Sequence, residues 1–161
     1  MKDCWTHAPW WIPWEGKFGW NPFRELSDTN QRPDWSGKTV LVVEDIYNNY
    51  LLLETVLAST KLKFINVENG MKAVNLVKKN TDIDLVLMDL RLPVLDGYEA
   101  SRRIKAHSPC LPIVAVSAYA IGEEIDRCIK TGCDSFLSKP LNTSKLIRTI
   151  SELFHKIPAD R

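Results

Sequence analysis

The chain has 161 residues, 45% of them hydrophobic and 25% charged, which suffices for one buried α/β core with an appendage and leaves no room for a second full domain. A formal net charge of +1 gives no whole-chain reason to expect nucleic acid as a partner, and no basic stripe interleaved with aromatics runs along the sequence. Asp3 falls where a signal peptide carries basic residues, and prolines and charges interrupt the apolar start before the roughly 20 residues that a membrane span requires. These features predict a soluble, cytoplasmic protein.

The first stretch, residues 1–36, is built differently from the rest. All six tryptophans lie in it, at positions 5, 10, 11, 14, 20 and 35. Pro9, Pro13, Pro22 and Pro33, with Gly16 and Gly19, argue against a long helix or a central strand. Each tryptophan can bury on the order of 200 Å², so this extension is expected to pack on the domain or across a homodimer contact, or to order on a partner. Disorder and a membrane-surface role are the remaining readings.

From residue 37 to 157 the pattern changes to short apolar runs alternating with helical periodicity, and residues 158–161 form a tail. TVLVV (39–43), FINV (64–67), DLVLM (84–88), PIVAV (112–116) and SFLS (135–138) read as five strands. The stretches between and after them carry core-facing stripes at helical spacing. They are Ile46, Tyr50, Leu53 and Leu57; Val74 and Val77; Ala100 and Ile104; Ile121, Ile125, Cys128 and Ile129; and Leu146, Ile147, Ile150, Leu153 and Phe154. Five β-α units in about 120 residues predict right-handed crossovers and a doubly wound α/β fold, with a five-stranded parallel sheet covered by helices on both faces.

Cysteines 4, 110, 128 and 133 form no CxxC pair, and His7, His107 and His155 are scattered. Idle thiols in a reducing compartment are the expectation.

Ligands of open parallel sheets bind outside the carboxyl ends of the strands. There the sequence places Glu44-Asp45 after the first strand, Asp89 after the third, Ser117 after the fourth and Lys139-Pro140 after the fifth. Singly, each has an ordinary explanation: Asp45 as the cap of a helix starting at Ile46, Ser117 as a loop hydroxyl, Lys139 as a surface lysine. Together, with the first and third strands adjacent, three carboxylates converge and need a cation or protons to relieve their repulsion. A hard divalent ion such as magnesium suits that donor set. One carboxylate is then available as a nucleophile toward phosphorus, with a hydroxyl and an ammonium to neutralise phosphoryl oxygens.

VLVVED (40–45), LVLMDLRLPVLDGYEA (85–100), PIVAVSAYA (112–120) and GCDSFLSKPL (132–141) resemble, in order and spacing, the response-regulator receiver family of two-component signalling, over roughly Lys38 to Phe154. The details are most similar to receivers in or alongside hybrid histidine kinases. The resemblance implies a flavodoxin-like strand order 2-1-3-4-5, a metal site from Glu44, Asp45 and Asp89 with the backbone carbonyl of Arg91, and Mg2+ as the ion. It implies Asp89 as phosphoacceptor, Ser117 and Lys139 as the groups that bind the phosphoryl oxygens, and Phe136 with Ser117 as switch residues. A cis Lys139-Pro140 peptide is expected. Pro93, Asp96 and Gly97 are assigned to loop structure, with Asp96 capping the next helix.

The partners implied are a histidine kinase or phosphotransfer protein as donor and a downstream protein target contacted on phosphorylation, through the fourth helix, fifth strand and fifth helix. Arg91 and Tyr119 border the hydrolytic water's path in this resemblance, so slow self-dephosphorylation is expected. A constitutive interaction module with a vestigial site competes, but the set of five site residues is intact. An aspartyl phosphatase lacks its second acid, because position 91 is Arg, so no enzyme is expected. Dehydrogenase and P-loop readings lack their glycine-rich loops.

Overall fold

The computed structural model describes residues 32–118 and 122–156. Five strands, β1 (Thr39–Val43), β2 (Lys63–Val67), β3 (Leu85–Asp89), β4 (Ile113–Ser117) and β5 (Ser135–Ser138), alternate with helices α1 (Tyr47–Leu57), α2 (Gly70–Lys79), α3 (Gly97–His107), α4 (Gly122–Lys130) and α5 (Thr143–Lys156). All pairings are parallel, in the order β2-β1-β3-β4-β5. The doubly wound sheet is therefore as the sequence predicts.

The runs of β-branched and aliphatic residues in β1, β3 and β4 have no polar face because both faces are covered. On one side Val40, Val42, Leu85, Leu87 and Val114 pack with Leu53 and Leu57 of α1 and with Leu146, Ile150 and Leu153 of α5. On the other, Leu41, Val43, Val86, Met88 and Ile113 pack with Ala73, Val74 and Val77 of α2 and with Ala100 and Ile104 of α3. A third cluster joins Cys128 of α4 to Leu90, Tyr98 and Ala115. Trp35 is buried in the first cluster, its ring edge-on to Phe154 with centroids 5.4 Å apart, and its backbone N–H donates to the Thr60 carbonyl at 2.7 Å.

Three local expectations differ. Asp45 does not cap α1, whose N-cap is Ile46 with no side-chain cap hydrogen bond. Ile46 itself is 54% exposed, because as the N-cap it precedes the helical stripe. Cys110 is disulfide-bonded, which the sequence could not foretell, since pairing depends on the approach of Cβ atoms and not on spacing. Ile121 and Tyr119, the tail, and the tryptophans before Trp35 lie outside the described residues.

Candidate functional site at the carboxyl ends of β1, β3, β4 and β5

Parallel pairing brings the carboxyl ends of the strands together along one edge, and the polar residues of the sequence gather there. Asp89 and Ser117 are the last residues of β3 and β4 and do not follow them as the sequence suggested, a shift of one residue that leaves them buried with the strands. Glu44, directly after β1, is 3% exposed, and its backbone N–H continues the sheet by donating to Val67 at 3.0 Å.

Lys139 is the hub. Its Nζ donates to Glu44 Oε2 at 2.8 Å and to Asp89 Oδ2 at 2.5 Å. Its backbone N–H donates to the Ser117 carbonyl at 2.7 Å, which fixes the start of the turn beyond β5 against the end of β4. Lys139-Pro140 is cis. Burial works to lower the ammonium's pKa, but the hydrogen bonds to Asp89 and Glu44 outweigh it and hold the pKa above the ordinary lysine value.

The other carboxylate oxygens are also occupied. Glu44 Oε1 accepts from the Ile46 N–H at 3.2 Å and from Asn49 Nδ2 at 2.9 Å, and Asp89 Oδ1 accepts from the Arg91 N–H at 2.8 Å. Both acids are thus fixed in orientation. Ser117, 1% exposed, donates through Oγ to Glu124 Oε2 at 3.1 Å, and Glu124 Oε1 meets Arg91 Nη2 at 3.4 Å. Sequence reasoning missed Glu124 and Asn49. Both lie inside helices, Glu124 in the first turn of α4, and not at the strand ends.

The loop between β3 and α3 closes tightly over this edge. Leu95 N–H donates to the Pro93 carbonyl at 2.7 Å, a turn centred on Val94 at φ 67, a region that β-branched residues rarely occupy. Gly97 follows, and a Cβ there would lie 2.1 Å from the Asp89 carbonyl oxygen, so the close approach demands glycine. Asp96 caps α3 as expected, its carboxylate accepting from the Glu99 N–H at 2.8 Å.

The expected convergence of three carboxylates is reached only in part. Glu44 and Asp89 meet at Lys139, whereas Asp45 is exposed, and among the described residues no three acidic, histidine or cysteine side chains form a ready cation cluster. The Lys139 ammonium stands between the two buried acids, and Asp45 lies on the exposed side of the edge. Three carboxylates against one ammonium still leave the edge negative, and their hard oxygens fit a divalent ion.

A family model for the response regulator receiver domain matches residues 40–151. The sensor histidine kinase RcsC of Salmonella typhi is 37% identical over 122 residues, which cover 76% of this chain and 13% of the kinase. The polar-differentiation response regulator DivK of Brucella anthropi is 31% identical, covering 70% of this chain and 93% of DivK. Among solved structures, the receiver domain of the Pseudomonas aeruginosa sensor histidine kinase PA1611, with magnesium coordinated in its active-site cleft, superposes with a TM-score of 0.69 at 34% identity, covering 74% of this chain and 99% of that one. The Saccharomyces cerevisiae receiver of Ssk1, crystallised with the phosphotransfer protein Ypd1, matches with a TM-score of 0.70 at 28% identity, covering 81% of this chain and 97% of that one. The chain spans about an eighth of the length of the sensor kinases it matches. With the strand order, the acid-lysine edge and the family match in agreement, this chain belongs to the response regulator receiver domain family of two-component signalling.

Proposed function

We propose that this receiver takes a phosphoryl group from phosphohistidine of a histidine kinase or phosphotransfer protein onto Asp89 and signals through protein contact. The observation that carries the reading is the Lys139 ammonium held jointly by Glu44 and Asp89. A cation placed against the nucleophile is positioned to pair with a phosphoryl oxygen once Asp89 carries one.

In the transfer, an Asp89 carboxylate oxygen attacks phosphorus while the phosphorus-nitrogen bond to imidazole breaks, leaving an acyl phosphate. The Arg91 N–H holds the other oxygen and so aims the nucleophile. Lys139 follows the new negative charge. The Ser117 hydroxyl leaves Glu124 and donates to a phosphoryl oxygen, and Phe136, half-buried against the cluster of Leu90, Tyr98, Ala115 and Cys128, repacks in response. Glu44, Asp45, Asp89 and the Arg91 carbonyl would hold Mg2+, which would offset phosphoryl charge during transfer.

A docking surface for the donor adjoins the site. Ile46, Tyr47 and Leu51, just beyond Asp45, are 54%, 65% and 43% exposed, an apolar group at the start of α1 suited to a helical partner. The likeness to the Ssk1 receiver crystallised with Ypd1 favours a phosphotransfer protein of this kind. No helix among the described residues is long and apolar enough to cross a membrane.

The test is intact mass after incubation with acetyl phosphate and magnesium. One added phosphoryl group in the parent, absent from Asp89→Asn and absent without magnesium, is expected. No gain under conditions that label a control receiver would favour a constitutive interaction module.

A further inference from the structure

We propose that Cys128 and Cys133 are a redox couple that forms a reversible disulfide, fastening the last turn of α4 to the segment leading into β5. Helix α4 ends in a Schellman motif: the Cys133 N–H donates to the Cys128 carbonyl at 3.3 Å and the Gly132 N–H to the Ile129 carbonyl at 2.9 Å, with Gly132 at φ 90. This geometry places the residues at the two Schellman contact positions side by side. An aliphatic pair at those positions suffices for packing; here both are cysteines with free thiols, and Cys133 packs against the cluster that holds Cys128.

The surroundings divide the two roles. Cys128 is 1% exposed among Leu90, Tyr98 and Ala115, and its thiol is pushed up by the neighbouring Cys133 thiol and by burial. Cys133 is half-buried, and its thiol is held at about 7 by the neighbouring Cys128 thiol, against burial, with help from the Thr131 hydroxyl. Thr131 Oγ1 lies 3.6 Å from Cys133 Sγ. The Ser101 hydroxyl beside this region is fully buried and has no hydrogen-bond partner among the described residues. A cavity of about 570 Å³, lined among others by Ile125, Cys128, Cys133 and Phe136, opens beside the pair and is wide enough for a small oxidant.

The oxidant class is a hydroperoxide. The Cys133 thiolate attacks the peroxide oxygen, the O–O bond breaks, and the departing hydroxide takes up a proton, leaving Cys133 as a sulfenic acid. The Cys128 sulfur then attacks Cys133 Sγ, the S–O bond breaks, and the Cys128 proton leaves with hydroxide as water. Two thiols and one hydrogen peroxide thus give one disulfide and two waters, and a dithiol reverses the reaction.

Trypsin separates the pair, cutting after Arg127, Lys130 and Lys145. The full chain, exposed to hydrogen peroxide, alkylated and digested, should yield peptide 128–130 linked to peptide 131–145, and dithiothreitol should abolish the link. In Cys128→Ser, Cys133 should stop at a sulfenic acid that dimedone captures; in Cys133→Ser, Cys128 should remain unmodified. Unlinked peptides, a Cys133 that passes directly to sulfinic acid in the parent, or a link from Cys133 to any other cysteine would overturn the couple. Circular dichroism of each serine variant, matching the parent, separates loss of chemistry from loss of fold.

Discussion

The Ser117 hydroxyl and the Glu124 carboxylate are joined by a 3.1 Å hydrogen bond that ties the end of β4 to the first turn of α4. Under the proposed mechanism this bond must break before Ser117 can reach a phosphoryl group on Asp89. A hydrogen bond to a charged group contributes about 1.5–3 kcal/mol at most, and a neutral one about 1 kcal/mol. Glu124→Ala should therefore tighten binding of the phosphoryl mimic beryllofluoride by roughly tenfold to a hundredfold, since 1.4 kcal/mol corresponds to tenfold. Titration followed by amide shifts of Ser117 would show it, and unchanged or weaker binding would remove Glu124 from the switch.

Lys139 offsets two buried carboxylates, so its removal should be felt before any chemistry. Lys139→Met leaves Glu44 and Asp89 facing each other with only backbone and Asn49 donors. Stability to urea should fall by about 1–3 kcal/mol without metal, the cost of stranding a buried charged group. Added Mg2+ should restore more stability to the variant than to the parent, because the ion then replaces the missing positive charge. Equal metal responses in the two proteins would contradict this.

Gly97→Ala tests how the loop positions the phosphoacceptor. The added methyl would lie 2.1 Å from the Asp89 carbonyl oxygen and 2.7 Å from Leu90 Cα, both backbone atoms that cannot rotate away. A loss of about 1–3 kcal/mol is expected from overpacking, with slower labelling by acetyl phosphate because Asp89 shifts with its backbone. Asp96→Ala, which removes only the α3 cap, should cost about 1 kcal/mol and leave the labelling rate unchanged.

The acidity assigned to Cys133 predicts a pH profile. With the thiol at about 7, below the ordinary value of 9.0, thiolate forms as pH rises through 7, and alkylation by iodoacetamide should accelerate through a midpoint there and level off above about pH 8. Reactivity that climbs steadily to pH 9 would mean an unactivated thiol. Replacing Thr131 by Val should move the midpoint upward, since the hydroxyl 3.6 Å from Cys133 Sγ that favours the thiolate is gone.

The fold was legible because β1, β3 and β4 are apolar on both faces and the helical stripes recur at the right spacing. The acid-lysine edge was legible because strand ends in a parallel sheet are known positions, so Glu44, Asp89, Ser117 and Lys139 could be read off. Glu124 was not, since a glutamate in the first turn of a helix satisfies the helix dipole and needs no further role. The pairing of Cys128 with Cys133 was hidden for a similar reason: a separation of five residues means nothing until Gly132, at φ 90, turns the chain back.

Trp35 shows how the end of the tryptophan-rich stretch meets the domain. As expected for tryptophans that pack on the receiver, it is 8% exposed and sits in the same cluster as Leu57, Ile150 and Leu153. Its ring meets Phe154 edge-on, an arrangement that contributes about 0.5–1.5 kcal/mol beyond area burial. Trp35→Ala should therefore destabilise the protein by about 3–5 kcal/mol, whereas alanine at Trp10 or Trp14 should leave the urea midpoint of the receiver unchanged if those residues serve only the extension. Trp35→Phe should restore most of the loss, since a smaller aromatic can still meet Phe154. A Trp35→Ala variant as stable as the parent would place the start of the folded unit after residue 36 and return Trp35 to the extension.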